Sequence, residues 1–316
     1  MNLNPKEKEL IFIVVFLAVV AVFYAVSIER EIAQGVVIEQ EIAEYQQSIR
    51  PFMDLALNAK SFAIYDMDSK QFLFKNNAEV EMPLASLAKV MSAIVIMEHV
   101  PAEHVFTISK ESLSEAGDNK LLVDEKWNRD ELLQFTLVES SNDAILEMAK
   151  ETGAIIDPAS ADPVSVFVSA MNEKAKEIKL ANFEFSNPSG LDLPTGKNGG
   201  YGNARNMARL FSYAIETYPD IFAPTALPAP VLRSLDVEHT AKNTNPVVSE
   251  IPGLIASKTG FTNISGGNLV VAFKDEEGRR LAAVVLGSTF DARFTDVQAI
   301  SSKITNPQEA LLPVVE

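Results

Sequence analysis

Met82-Pro83-Leu84-Ala85-Ser86-Leu87-Ala88-Lys89 runs directly into the apolar stretch Val90 to Met97. It sets a hydroxyl and an amine three residues apart, at Ser86 and Lys89. On a helix, residues i and i+3 share a face, so the spacing brings the Lys89 amine to the Ser86 oxygen. A serine hydroxyl attacks only when a neighbouring base takes its proton. A lysine serves as that base when burial or a second cation lowers its pKa. Unshifted, it is neutral at pH 7 in roughly one molecule in 2500. The rest of the chain must therefore supply the environment.

Working outward, Phe62 to Asp66 and Phe72 to Phe74 read as two strands around the polar turn Asp66-Met67-Asp68-Ser69-Lys70. The Asp66/Asp68 pair reads as turn chemistry, since a calcium loop needs a third ligand, a glycine and a distant Glu. From Ser86 to about residue 215 the pattern is helical: Ser86–Met97, Arg129–Val138, Ala144–Ala149, Val164–Ile178 and Ala204–Tyr218. A loop rich in Asn, Pro and Gly, Asn187–Gly202, separates the last two. Gly253–Thr262, Asn268–Lys274 and Arg280–Thr289 then read as strands, the last two joined by Asp275-Glu276-Glu277-Gly278. Phe294, Val297 and Ile300 mark a closing helix. Strands at both ends with helices between predict an α+β domain over 57–305. Its mainly antiparallel sheet of about five strands is built from both chain ends, and a helical lobe is inserted between them.

The 316 residues contain no cysteine, which excludes disulfides and thiolate metal sites. His99, His104 and His239 show no ligand spacing, so no metal and no cofactor are expected. A net charge of -16 argues against nucleic acid, which needs a basic footprint. Leu10 to Ile28 is a run of uncharged, almost wholly apolar residues, close to the ~20 that span a bilayer. It reads as an uncleaved anchor in the lipid bilayer. A cleaved signal peptide has a shorter apolar run of about 7–15 residues, though Ala25-Val26-Ser27 would pass as its cleavage site. Lys6 and Lys8 before the span place the tail 1–9 inside and the body outside. Residues 29–56 read as a helical stalk and 306–316 as a tail.

Two further motifs follow Ser86-x-x-Lys89: Ser140-Ser141-Asn142 at a break between helices and Lys258-Thr259-Gly260 inside a strand. The first two would each occur about once by chance in such a chain, and the third in about one chain in fifteen. Their order and placement carry the weight. The combination resembles the penicillin-binding protein and serine β-lactamase superfamily. More narrowly, it resembles the D-alanyl-D-alanine carboxypeptidases, from about Ser61 to about Ser301. Pro83–Lys89, Glu139–Ala144, Asn187–Asp192, Ala204–Ala208 and Gly253–Gly260 occur in the family's order.

That resemblance implies roles. Ser86 is the nucleophile on the carbonyl of a D-Ala-D-Ala bond in a peptidoglycan stem peptide. Lys89 is its base, with Lys258 as the cation that repels its proton. Ser140 relays the proton to the leaving amine, and Asn142 holds the substrate backbone and Lys89. The backbone N–H groups of Ser86 and Phe261 form the oxyanion hole, each worth ~3–4 kcal/mol of barrier. Lys258, Thr259, Gly260, Phe261 and Arg293 form the substrate-binding edge, and Arg293 suits a planar carboxylate. β-Lactams are the implied covalent inhibitors. Structural alternatives stand beside these roles: Ser86 as an N-cap, Ser140 as the cap of the next helix, Lys258 as an exposed strand residue.

The functional alternatives are an endopeptidase on cross-links, a serine β-lactamase, and a weakly catalytic wall-binding or sensing module. A class A β-lactamase needs a deacylating Glu, usually followed four residues on by Asn. No Glu-x-x-x-Asn lies between Asn142 and Lys258. The chain departs from the family pattern at Ser141, where glycine is common, and at Phe261, where histidine is frequent.

Overall fold

The structure is a computed structural model that describes residues 55–114, 121–180 and 182–305, together with Phe23, Tyr24, Ser27, Arg30 and Phe52. The chain divides into two units, Met1–Met53 and Asp54–Glu316. Among the described residues no helix is long and apolar enough to cross a membrane. The expected span, 10–28, and the stalk, 29–56, lie almost wholly outside the described residues.

In the second unit, β1 (Ser61–Asp66) and β2 (Gln71–Asn76) form the first hairpin. Its turn closes because the Asp66 carboxylate accepts from the backbone N–H groups of Asp68 and Ser69, at 2.8 and 3.0 Å. The Asp66/Asp68 pair is thus turn chemistry, with Asp68 also bound to Arg280. The chain returns to the sheet with β3 (Leu254–Thr262), β4 (Gly266–Lys274) and β5 (Arg280–Ser288). The spatial order is β3-β4-β5-β1-β2, antiparallel throughout. The predicted five-stranded sheet from both chain ends is the observed one, and β5 against β1 is its seam.

The helices between the hairpin and β3 are α1 (Lys89–His99), α2 (Arg129–Glu139), α3 (Asn142–Ile156), α4 (Pro163–Glu177) and α5 (Ala204–Thr217). α1 is buried from Lys89 to Ile96, which explains its lack of a polar stripe. α4 starts where the Asp162 side chain accepts from the Ser165 N–H and Pro163 takes the first turn. α5 starts on the Asn203 side chain in the same way. One face of the sheet, with Ala63, Tyr65, Val270, Ala272, Ala282 and Val284, shares a core with the helical lobe. The alternate residues Ile64, Val271, Phe273, Ala283 and Val285 are equally buried, as two-sided coverage requires. The closing helix α6 (Ala292–Thr305) packs against β4 and β5. Short sheets that sequence periodicity did not reveal fill the lobe. One joins Met82–Pro83, Gly200–Gly202 and Glu184–Phe185, and two-residue to three-residue pairings of this kind leave too short a pattern to read.

One buried carboxylate ties the two ends of this unit together. Asp296 on α6 accepts from the N–H groups of Asn58 and Ala59, at 2.9 and 3.0 Å, and from Ser288 Oγ at 2.6 Å. Asp296→Ala leaves these donors without an acceptor, at a cost of roughly 1–3 kcal/mol. For a domain of this size each kcal/mol lowers the unfolding midpoint by roughly 2–4 °C. Thermal unfolding followed by circular dichroism is expected to show that drop for Asp296→Ala and a smaller one for Asp296→Asn, which keeps one acceptor oxygen.

Candidate active site

The nucleophile turn is held from three directions. Leu84 N–H donates to the Gly200 carbonyl at 2.8 Å, Ala85 N–H donates to Asn198 Oδ1 at 3.2 Å, and the Pro83 carbonyl accepts from Asn268 Nδ2 at 2.9 Å. Ala85 then takes a left-handed conformation (φ 49°), which costs energy for a residue with a Cβ and persists only where the surroundings impose it. A short 3-10 turn, Ala85–Ala88, leads into α1. Ser86 does not cap it: the N-cap is Leu84, and no side chain caps the turn. Ser86 is instead half-buried, with its Oγ accepting from Lys89 Nζ at 2.9 Å.

Lys89 is fully buried. Its Nζ also donates to Asn142 Oδ1 at 2.7 Å and to the Ser189 carbonyl at 3.1 Å. The Ser189 carbonyl is presented by a turn that ends at Gly190 (φ 77°), where a Cβ would stand 1.9 Å from the Ala85 carbonyl oxygen. Only glycine fits there. The next loop residues are held by Asn198, whose Nδ2 donates to the Gly190 carbonyl, to Asp192 and to Thr262 Oγ1. A cavity of about 340 Å³, lined by Asn142, Leu146, Pro188 and Leu191 among others, lies beside this loop.

Ser140 ends α2 in a left-handed conformation (φ 59°, ψ 34°), which turns the chain at the break read from the sequence. The cap of α3 is Ser141, whose Oγ accepts from the Ala144 N–H at 3.1 Å, and not Ser140. The departure from glycine at Ser141 thus acquires a structural role. Ser140 Oγ is left to meet Lys258 Nζ, at 2.8 Å. Asn142 occupies the first turn of α3, where its amide oxygen reaches Lys89.

Lys258 is buried on β3, which removes the alternative of an exposed strand residue. Its second hydrogen bond goes to the Thr259 carbonyl at 2.9 Å. Burial holds this amine well below the ordinary lysine range, and repulsion from Lys89 and Arg293 lowers it further. The repulsion thus falls on Lys258, whereas the sequence expectation has Lys258 repelling the proton of Lys89. Thr259 Oγ1 pairs with Thr244 Oγ1 at 2.6 Å, and Thr244 N–H is anchored on the Val138 carbonyl at the end of α2. At Gly260 a Cβ would lie 2.8 Å from the Leu84 carbonyl oxygen and 3.2 Å from the Ser86 nitrogen. The absent side chain lets β3 cross directly over the nucleophile turn, so the backbones of Ser86 and Phe261 border one site.

Arg293, at the start of α6, is buried beside the end of β3. Its Cδ lies 3.3 Å from where a Cβ on Gly267 would sit, and Gly267 pairs with Phe261. Burial lowers its pKa to about 10 against the opposing pull of Asp291. The candidate site residues are thus linked by direct contacts: Lys89 with Ser86 and Asn142, Lys258 with Ser140, Gly260 against the Ser86 backbone, and Arg293 against the Phe261 ring. Sequence reading missed the Ser189 carbonyl, Asn198, Thr244 and the two rings of Phe290 and Phe294 against Arg293. Ser189 lies within the stretch Asn187–Asp192 but acts through its backbone carbonyl, and the others act through a hydrogen-bonding hub or a ring face, so the residue types themselves gave no signal. Among the described residues no cluster of His, Cys, Asp and Glu suits a metal ion. His104 and His239 instead bond to Glu151 and Glu125, at 2.7 and 2.6 Å.

Known proteins resemble the chain over most of its length. The family model for D-alanyl-D-alanine carboxypeptidases matches residues 46–289. The chain is 29% identical over 251 residues to D-alanyl-D-alanine carboxypeptidase DacF of Bacillus subtilis, covering 77% of this chain and 61% of that relative's length. It is 27% identical to a D-alanyl-D-alanine endopeptidase of Pseudomonas aeruginosa, covering 68% of this chain and 67% of the relative. A Listeria monocytogenes penicillin-binding protein in an ampicillin-bound form superposes with a TM-score of 0.65 at 27% identity, covering 78% of this chain and 97% of that one. The fold is thus that of the penicillin-binding proteins, and the chain belongs to the D-alanyl-D-alanine carboxypeptidase family of serine peptidases.

Proposed function

We propose that the chain is a membrane-anchored serine D-Ala-D-Ala carboxypeptidase that trims peptidoglycan stem peptides outside the cytoplasmic membrane. The observation that carries this reading is the buried Lys89 amine, 2.9 Å from Ser86 Oγ and 2.7 Å from Asn142 Oδ1. A nucleophile within hydrogen-bond reach of a base that a third group orients is the signature of covalent catalysis.

Ser86 Oγ attacks the carbonyl carbon of the scissile bond while Lys89 takes its proton. The charge that develops on the carbonyl oxygen faces the Ser86 and Phe261 N–H groups across the site that Gly260 keeps open. The proton passes to the leaving amine through Ser140, which Lys258 holds at 2.8 Å. The carbon–nitrogen bond breaks, D-alanine leaves, and the shortened peptide stays as an ester on Ser86. Water, deprotonated by Lys89, then attacks the ester and frees the serine. Thr259 and Arg293 receive the terminal carboxylate of the substrate. A β-lactam follows the first half of this path. Its opened ring stays tethered to the acyl group and shields the ester from the water that Lys89 activates, and with no Glu-x-x-x-Asn between Asn142 and Lys258 to activate another water its release is slow.

The membrane part of the reading rests on the uncharged apolar run Leu10–Ile28 and on Lys6 and Lys8 before it. The full chain is expected in the membrane pellet after alkaline extraction, and a chain lacking residues 1–28 in the supernatant. Finding the full chain in the supernatant would remove the anchor from the proposal.

Intact-mass spectrometry after incubation with benzylpenicillin is expected to show one adduct on the wild type and none on Ser86→Ala. A folded wild type without an adduct would sink the peptidase reading. The buried amine also has a stability signature. The folded pKa of Lys258 lies well below its ordinary value of 10.5. Between the two, the unfolded chain binds more protons, so stability rises with pH, and the contribution levels off above 10.5. Lys258→Met is expected to flatten that rise, read from urea unfolding at a series of pH values on both sides of neutrality.

A further inference from the structure

The guanidinium carbon of Arg293 lies 4.4 Å from the ring centre of Phe290, 4.5 Å from that of Phe294 and 5.8 Å from that of Phe261. Its Nε and Nη1 are buried and have no hydrogen-bond partner among the described residues. Phe261 and Phe290 meet edge to face, with ring centres 4.9 Å apart and an 88° angle between planes. Both are exposed, at 42% and 52%. A lone exposed aromatic needs no explanation. Phe261, directly after the glycine that borders the nucleophile, and Phe290 touch each other and a buried cation, and together form an aromatic wall beside the nucleophile turn.

On the peptidase function proposed above, that wall stands on the side of the residue that leaves. In a D-amino acid leaving group, the scissile amine, the carboxylate and the side chain share one carbon. With the scissile carbonyl at Ser86, the amine at Ser140 and the carboxylate at Thr259 and Arg293, three points are fixed and the direction of the side chain is no longer free. The rings of Phe261 and Phe290, which lie against Arg293, are the apolar surface beside that carboxylate.

We infer that Phe261 and Phe290 are specificity-determining residues that select a leaving residue with a short apolar side chain, D-alanine, over one whose side chain continues into a second peptide, as in a cross-link. A methyl group buries against the ring faces. A long side chain has to pass between two rings already in contact, and an ammonium on it is repelled by Arg293 and by any proton on Lys258. The rings thereby favour carboxypeptidase over endopeptidase activity at a site whose catalytic groups serve either reaction.

The test compares kcat/KM for D-alanine release from an N-acetylated pentapeptide ending in D-Ala-D-Ala with kcat/KM for cleavage of a cross-linked peptide dimer. Active sites are counted by benzylpenicillin uptake on Ser86 in wild type, Phe290→Ala and Phe261→Ala. The wild type is expected to favour the pentapeptide by more than about tenfold, and each variant to reduce that preference by about tenfold or more. A purely structural role lowers both rates together, so an unchanged ratio in both variants overturns the inference. So does a wild type that cleaves the dimer as fast as the pentapeptide. A wild type that takes up no penicillin overturns the peptidase reading beneath it, which separates the two failures.

Discussion

Two lysine amines sit in one water-poor site, and the surrounding structure exists to hold them there. An amine taken out of water loses much of its hold on a proton, and a like charge nearby weakens that hold further. Lys258 shows both effects. Such burial opposes folding, so it persists only because the hydrophobic lobe and the sheet over-determine it. Lys89 stands at the head of a helix buried along its whole first part, and Lys258 lies on a strand whose neighbours are buried from Ala256 to Gly260. Each amine hydrogen-bonds a serine hydroxyl, Lys89 with Ser86 and Lys258 with Ser140, and these are the two hydroxyls that the proposed chemistry uses.

Holding that pair requires three segments, distant in sequence, to meet within a few ångströms. Close backbone approach achieves it. Gly260 lets the edge strand of the sheet ride over the nucleophile turn, and Gly190 lets the loop that carries the Ser189 carbonyl press against Ala85. Asn198 connects both contacts, accepting from Ala85 and Gly200 and donating to Gly190, Asp192 and Thr262. The supports of the site are chiefly backbone atoms and buried amides, which is why few of them carry a sequence signature.

Much of the fold was legible because its signals are local. Alternating or continuous apolar runs bounded by turns marked β1 to β5, and helical spacing marked α1 to α5, with the end of α3 read at Ala149 where the helix runs on to Ile156. The break at Ser140–Asn142 was legible as well. Its inner division of labour was not. Ser141 caps α3 and Ser140 faces Lys258, and both are serines whose different roles follow from one left-handed residue in the backbone. The short strands around Met82, Glu184 and Gly200 were invisible for another reason: two or three residues cannot display a period.

By itself the sequence determined the five-stranded sheet with its helical insert, the candidate nucleophile and base, and the companions Ser140, Asn142 and Lys258. It could do so because helix geometry converts the spacing of Ser86 and Lys89 into contact, and because each motif falls on a recognisable element. The tertiary structure alone decided which amine is held far below its ordinary pKa, which backbone carbonyl joins the site, and what surrounds Arg293. Those properties depend on the depth of burial and on neighbours from Ser140, Ser189, Thr244 and Phe290. Proximity across a hundred residues of chain is set by packing, and no local pattern encodes it.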